Sequence, residues 1–439
     1  MLKAGVAKLD ITPPVGVRMS GFAGRVFPSL AVHDPLYARG LVLDDGENRL
    51  AVVALDLVGI WHQITEQVRA ECRRSAGIPA DGLLIAGSHT HSGPVFWDDG
   101  TFTDQERGYW DALPAKLIAV VNQAAAAAVP ARLGVARGWS AIGINRREVT
   151  PTGQVVLGRN HFGVFDPEVG LIRIETADGK PLAALVNYAC HAVCLMADNY
   201  LLSADYPGFA AHYLEQRMGG GLAVFFNGAC GNVNPREAAV GHGLASGGGF
   251  SIAQRAGSQL ARDAFRAWEK AIPGEDVKLS FARTSIGLPT NRARALEAAE
   301  EALRQAEEAA RQGYPEKSPY MTWYAPPNPE GARKRIARLK EEGDAPVACE
   351  IQVISLGKVT FVGWPGEIFC ELGMAVKERT PFPPTFILGY ANNSIGYVPV
   401  PEAYREGGYE ASTAAHLADN AGLVLVEETL KLLEGMRRG

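Results

Sequence analysis

Two histidines spaced two residues apart, in the block Ser88-His89-Thr90-His91-Ser92-Gly93-Pro94, are the residues of this sequence best suited to chemistry. On a regular strand that spacing turns both rings to one face, where a single metal ion can take one or both as ligands. Set among serines and threonine, the pair also reads as plain loop residues. His191, in Tyr188-Ala189-Cys190-His191-Ala192, follows a second apolar run and, taken alone, fits a satisfied core histidine. Glu367, in Trp364-Pro365-Gly366-Glu367, stands in the same kind of place after a third run. Three groups, each delivered from the end of a separate strand, are what a metal pocket at a sheet edge requires. Tyr397, in Asn392-Asn393-Ser394-Ile395-Gly396-Tyr397, is one of thirteen tyrosines, and neither type nor spacing singles it out.

Two further features lie close to these groups in the chain. The turn Asn227-Gly228-Ala229-Cys230-Gly231-Asn232 permits close backbone approach, so its N–H groups are candidates for stabilising an oxyanion. A tight turn with no ligand explains it equally well. Cys190 and Cys194 flank His191, but the six cysteines are scattered with no Cys-x-x-Cys spacing, which favours free core thiols over a zinc cluster.

The elements that must carry these groups follow from periodicity and turn composition. Leu41–Leu43 and Leu50–Leu57 read as paired strands about Asp-Asp-Gly-Glu-Asn, and Gly82–Ala86 as a strand running into the His89 block. Gly170–Glu175 and Leu182–Tyr188 read as a hairpin about Asp178-Gly179, and Leu222–Phe226 as a buried strand. Helical patterns cover Gln63–Ser75, Asp104–Val129, Tyr206–Met218 and Ile252–Ala271. Later come strands at Cys349–Ser355, Val359–Gly363 and Thr385–Tyr390, a helix from about Ile368 and a last helix from about Thr413. Between them, Arg292–Gln312 and Gly331–Glu342 are rich in Ala, Glu, Arg and Lys at helical spacing and read as a helical hairpin inserted at about 288–345. Its charges suit a solvated face, and the aromatic tip Tyr320-Met321-Thr322-Trp323-Tyr324 suits a lid. The expected fold is α/β (α+β): a mixed sheet core with surrounding helices and the metal site at strand ends, in a single domain spanning 1–439.

Composition narrows the function. A chain of 439 residues that is 47% apolar and 21% charged can bury a full enzyme core. Forty-three Lys and Arg against 48 Asp and Glu leave a net charge of −5, so there is no basic surplus for nucleic acid. No apolar run approaches the ~20 residues of a membrane span, and Lys3, Lys8 and Asp10 interrupt any secretory signal. The expectation is a cytoplasmic protein with a small-molecule substrate, no nucleic acid partner and no stable membrane association.

Four blocks in order carry a resemblance: Ala4-Gly5-Val6-Ala7-Lys8-Leu9-Asp10-Ile11-Thr12-Pro13, Thr90-His91-Ser92-Gly93-Pro94 with His89 before it, Asn145-Arg146, and Tyr409-Glu410-Ala411-Ser412-Thr413. Together the sequence resembles the neutral/alkaline non-lysosomal ceramidase family from residue 4 to about 420, with no counterpart for the helical insertion. The resemblance implies one zinc ion per chain, bound by two histidines, a glutamate and a tyrosine, and hydrolysis of the amide bond of N-acylsphingosines by attack of metal-bound hydroxide. Carried over, the ligands are His89, His191, Glu367 and Tyr397. His91 becomes a supporting or catalytic histidine near the metal water, the candidate proton carrier, and Arg146 and Tyr409 match positions that line the substrate end; Asn227 and Gly228 of the glycine-rich turn are further substrate-binding candidates. Asp205, in Ser203-Ala204-Asp205-Tyr206-Pro207-Gly208, matches an acidic position without an assigned role, and a helix N-cap is its structural reading. Gly228 stands where the family has a serine, and neither a signal peptide nor an immunoglobulin-like C-terminal domain is recognised. These departures point to a soluble amide with little activity on long-chain ceramide. The alternatives are a zinc esterase, lactonase or deacylase acting on a small polar metabolite or sugar, or a zinc-containing binding protein without turnover.

Overall fold

Alternation with period two decides the architecture. Along the strand Tyr37–Asp44, Leu41 and Leu43 enter one core cluster while Val42 enters another. Along Arg49–Leu55, Leu50, Val52 and Ala54 join the first cluster, and Ala51, Val53 and Leu55 the second. Both faces of these strands are buried, so the sheet must be covered on each side. The computed structural model, which describes residues 1–22, 25, 27–97, 101–238, 248–312, 329–412 and 414–438, shows what covers it.

The large sheet has eight strands in the order Leu222–Asn227, Pro181–Tyr188, Glu168–Thr176, Val129–Trp139, Lys3–Asp10, Tyr37–Asp44, Arg49–Leu55, Leu83–Gly87. Its inner face packs on a four-stranded sheet, Leu279–Leu288, Val347–Leu356, Val359–Gly363 and Thr385–Leu388, through one shared cluster that includes Leu43, Leu185, Phe226, Ile354, Phe361 and Phe386. Its outer face carries the helices His62–Ser75 and Asp104–Ala126 on one half and Asp205–Met218 and Phe250–Lys270 on the other. Helices Cys370–Arg379 and Ala421–Arg438 cover the far side of the smaller sheet. The result is two mixed sheets face to face with helices on both outer surfaces, as the α/β expectation required. Among the described residues no helix is long and apolar enough to cross a membrane.

Parallel pairing at the two margins of the large sheet places the site. Leu83–Gly87 runs parallel to Arg49–Leu55, and Pro181–Tyr188 parallel to Leu222–Asn227. His89 and His191 follow the carboxyl ends of these strands, the end at which open α/β sheets hold ligands. In the loop region after the smaller sheet's strand Val359–Gly363, Glu367 pairs in register with Tyr397 in a short parallel ladder.

The helical insertion is a connection within an antiparallel pair: Leu288 faces Val347, and between them lie the helices Arg292–Gln312 and Pro329–Glu342. The proposed lid residues 320–324 lie outside the described residues. Two expected boundaries move. The second helix stops at Ala126, because Pro130 cannot continue it, and Val129–Trp139 forms a strand instead. The last helix starts at Ala421 rather than Thr413, because the preceding segment is tied to the insertion through Asn291 N–H to the His416 carbonyl (3.1 Å) and Ala418 N–H to the Pro289 carbonyl (2.8 Å).

Candidate metal centre

His89 sits at φ 65° and Tyr390, whose ring stacks on it at 4.0 Å, at φ 56°. Left-handed backbone is costly for residues with a Cβ, and such strain collects at functional sites. The His89 Nδ1 is 2.7 Å from the Val58 carbonyl and the His191 Nδ1 2.8 Å from the Cys230 carbonyl. Those nitrogens therefore carry the hydrogens, and each Nε2 turns a lone pair inward, as in ligating histidines. The His191 Nε2 lies 3.1 Å and the His89 Nε2 3.4 Å from the Glu367 Oε2. Burial first, then Arg146, pushes His191 down to about 4 against the pull of Glu367, so its imidazole is neutral at pH 7. The neutral His191 then turns a lone pair to the Glu367 carboxylate with no hydrogen between them, an arrangement that a metal ion held between the imidazoles and the carboxylate would complete. The residues fit a metal ion.

His91 is brought into the same cluster, its Nε2 3.1 Å from that of His89, and ring nitrogens of His89, His91 and His191 fall within 4.8 Å of one another. One feature separates it from the other two. Its Nδ1 is buried without a partner among the described residues. Gly21, at φ +93°, passes so close that a Cβ there would fall 2.1 Å from the ring, and Phe22 meets the ring edge-on at 4.8 Å. Burial, reinforced by His89 and His191, holds the His91 pKa well below 6.5.

Of the two readings of the glycine-rich turn, the tight turn is the one its hydrogen bonds match. The Gly228 N–H donates to the Tyr188 carbonyl (3.0 Å) and the Gly231 N–H to the Ile368 carbonyl (2.7 Å), so neither is available to an oxyanion. Gly228 does not line the site cavity, and a Cβ on it would lie 2.9 Å from Ala189 Cβ. Gly231 lets β-structure approach: a Cβ there would meet the Glu367 carbonyl at 2.4 Å. Asn227, fully buried and outside the cavity lining, serves as a clamp. Its Nδ2 donates to the Ser88 (3.0 Å) and Cys190 (2.9 Å) carbonyls and its Oδ1 accepts from the Cys190 N–H (3.1 Å). Ser88 and Cys190 each precede a histidine of the cluster, so one amide fixes both strand ends. Asn227→Ala strands these buried groups at ~1–3 kcal/mol each. The expected result is a clear fall in melting temperature and metal affinity weakened by about 10–100-fold, measured by thermal unfolding and metal titration.

Arg146 organises the other side. Its guanidinium donates to Glu410 Oε1 (2.8 Å), the Tyr397 hydroxyl (2.9 Å) and Asn234 Oδ1 (3.2 Å), with Nη1 3.3 Å from His191 Nε2. Arg147 shares Glu410 at 3.0 Å. Arg146 thus places Tyr397 beside His191 and does not line the cavity; Tyr409 does. Burial raises the Tyr397 phenol well above its usual value, with Arg146 opposing. Glu410 and Asn234 were not singled out by sequence: Glu410 adjoins Tyr409 in its motif, and Asn234 lies two residues beyond the glycine-rich turn. Asp205 starts its helix but is not an N-cap. Its carboxylate accepts from the Leu195 (2.9 Å) and Cys194 (3.3 Å) amides and thereby holds the chain after His191. The six cysteines are buried free thiols.

A cavity of about 850 Å³ opens over the cluster, with His89, His91, Glu367 and Tyr397 in its lining. Met19, Phe22, Val95 and Trp97 contribute an apolar part of the wall.

The family model described as "Neutral/alkaline non-lysosomal ceramidase, N-terminal" matches residues 2–241. Neutral ceramidase A of Dictyostelium discoideum is 27% identical over 229 residues, covering 49% of this chain and 32% of that protein. The neutral ceramidase of Mycobacterium tuberculosis is 23% identical over 500 residues, covering 100% of this chain and 78% of the relative. The match thus spans about a third of the first relative and over three quarters of the second. The crystal structure of the neutral ceramidase from Pseudomonas aeruginosa superposes with a TM-score of 0.74 at 20% identity, covering 100% of this chain and 74% of that one, which shows a shared fold. The matched range 2–241 includes the positions of His89, His91, Arg146 and His191, whereas Glu367 and Tyr397 lie beyond it, within the superposed chain. More than half of the chain falls within the matched segment, and the protein belongs to the neutral/alkaline non-lysosomal ceramidase family.

Proposed function

We propose that this protein is a single-zinc hydrolase of the amide bond of an N-acylated amine, with the ion held by His89, His191, Glu367 and Tyr397 and the proton carried by His91. The observation that supports it most is the convergence of two inward lone pairs on one carboxylate oxygen, at 3.1 and 3.4 Å, in the floor of the cavity. When bound, zinc supplies Lewis acidity and brings the pKa of water to about 7. The chain's own residues do the rest. His91, neutral at pH 7, accepts a proton from the attacking water as its oxygen bonds to the acyl carbon. It then delivers that proton to the nitrogen as the C–N bond breaks. His91 suits this because, unlike His89 and His191, no backbone carbonyl locks its Nδ1. Arg146 keeps Tyr397 in place, and Tyr409 contacts substrate from the wall.

The relatives are ceramidases by name, which favours an N-acyl lipid amide. The expectation of a soluble substrate loses one support, since Gly228 is not part of the cavity lining. Turnover of N-acyl amides by protein with about one zinc per chain, abolished by a chelator and restored by zinc, is the expected result. Undiminished turnover by metal-free protein would refute the reading.

Acidification gives a further check. The His191 pKa, depressed to about 4 in the folded chain, means that the unfolded chain alone binds this proton between about 6.5 and 4. The contribution of this group to stability is therefore fully present above about pH 6.5 and is lost as pH falls to about 4. Zinc, which needs the neutral imidazole, should stay bound down to about pH 5 and leave below it. Metal retention after stepwise dialysis measures this, and release centred near 6.5 would place His191 in an exposed environment instead.

A further inference from the structure

The cavity has two unlike walls. Besides the apolar residues, the lining takes Arg292, Arg335, Arg338 and Leu339 from the helical insertion, together with His416. Only two acidic side chains line the cavity among the described residues, Glu342 and Glu367. Glu367 belongs to the metal cluster. Glu342 serves both Arg292 (2.9 Å) and Arg338 (3.8 Å). Among the described lining residues of this wall, three guanidiniums stand with one carboxylate, in a chain whose net charge is −5. The potential shows in a neighbour: burial first, then Arg292, Arg335 and Arg338, push His416 down to about 4.

The wall is built into the fold. Arg294 anchors the first helix to Asp419 and to the Leu417 carbonyl, both at 2.5 Å, and its guanidinium lies 4.2 Å over the Tyr404 ring. Ala295, Ala299 and Leu339 pack the two helices together. The segment so held, 404–419, contains Tyr409 and His416, and His416 Cε1 would be 3.7 Å from a Cβ on Gly396, next to the ligand loop's Tyr397. The arginines therefore face the same space as the reacting centre.

We propose that the helical insertion is a specificity element that forms an anion subsite at the cavity wall, and that the substrate is an N-acyl amide whose amine half bears an anionic oxygen group. This rests on the hydrolase reading above. The acyl chain lies along Phe22, Val95 and Trp97, the amide sits at the metal cluster, and the carboxylate, sulfonate or phosphate reaches Arg335 and Arg338. Arginine suits this because its planar donor fork matches such groups.

The test compares N-lauroylglycine with the neutral N-lauroylethanolamine on the zinc-loaded full chain, for the native sequence, Arg335→Gln/Arg338→Gln and Arg338→Lys. Native protein should favour the carboxylate in kcat/KM. The double variant should lose about 10–100-fold of that preference, the range expected for charge-assisted hydrogen bonds, through KM and not kcat. Arg338→Lys should recover part of it. Calorimetric binding of N-lauroylglycine to the His91→Ala protein gives a readout without turnover, and its affinity should fall in the same ratio and weaken with salt. If the double variant does not fold, Arg338→Gln alone carries the comparison with a smaller loss. Hydrolysis of both compounds with no arginine-dependent preference overturns the subsite and leaves the hydrolase standing. Arginine-dependent binding without hydrolysis of either supports the subsite and overturns the hydrolase. A loss confined to binding of anionic phosphatidylglycerol vesicles, with discrimination unchanged, assigns the arginines to a membrane surface and overturns the subsite.

Discussion

His191→Ala should yield a folded protein without bound zinc and without measurable turnover. His191 is fully buried and contributes one of the two inward lone pairs that face Glu367 Oε2, so removing it halves the imidazole donors opposite that carboxylate. It also strips Arg146 Nη1 of a neighbour at 3.3 Å while leaving the ion pair with Glu410 in place, which favours retention of the fold. Loss of one preorganised electrostatic stabiliser alone lowers kcat by ~10²–10³. Loss of the ion that provides both polarisation and an acidic water should exceed this. Elemental analysis after desalting, circular dichroism and initial rates decide the matter. Full zinc content with native rates would remove His191 from the ligand set.

His91→Ala should separate chemistry from metal binding. The ring stands 3.1 Å from His89 Nε2, close enough that distance alone does not distinguish a ligand from a proton carrier. The distinction comes from the other ring nitrogen. Ligating histidines generally donate it to a carbonyl or carboxylate; His89 and His191 do so, and His91 does not. The variant should therefore keep most of its zinc while turnover falls by about 10²–10⁴, the contribution of a general acid–base. Zinc content and kcat measured on the same preparation provide the check. Parallel loss of both would make His91 a ligand. Phe22 and Gly21, which confine the ring, should tolerate the truncation, since it removes atoms from a crowded site.

Strand positions were legible where an apolar run is bounded by turn residues, whereas strand order and layer came from the tertiary structure. Leu50, Val52 and Ala54 alternate with Ala51, Val53 and Leu55 because each set faces a different core. The insertion was legible to within a few residues, since Ala, Glu, Arg and Lys at helical spacing contrast with the β-branched strands that flank it. Val129–Trp139 was not, because an alanine-rich run before it continues the helical pattern up to the proline. In the site, histidines at strand ends and Pro-Gly-Glu were visible by residue type alone. Tyr397 required the family resemblance, because its position comes from a two-residue ladder with Glu367 and a hydrogen bond from Arg146, contacts with long sequence separation.

Gly228 and Asn227 show what reading by residue type leaves open. A glycine-rich turn presents free amides as long as the turn is considered alone. Once packed, its N–H groups meet carbonyls of Tyr188 and Ile368, far away in the chain, and its small size serves the approach of Glu367. Asn227 was a substrate-contact candidate from its place in that turn; the fold shows its amide held by three buried backbone groups. The sequence by itself determined the donor types, the strand ends that deliver them and the hairpin with its arginines, because these depend on local pattern. Only the tertiary structure decided which groups meet at 3 Å, which amides are already satisfied and that the hairpin's charges face the cavity, because each of these depends on where distant segments come to rest against one another.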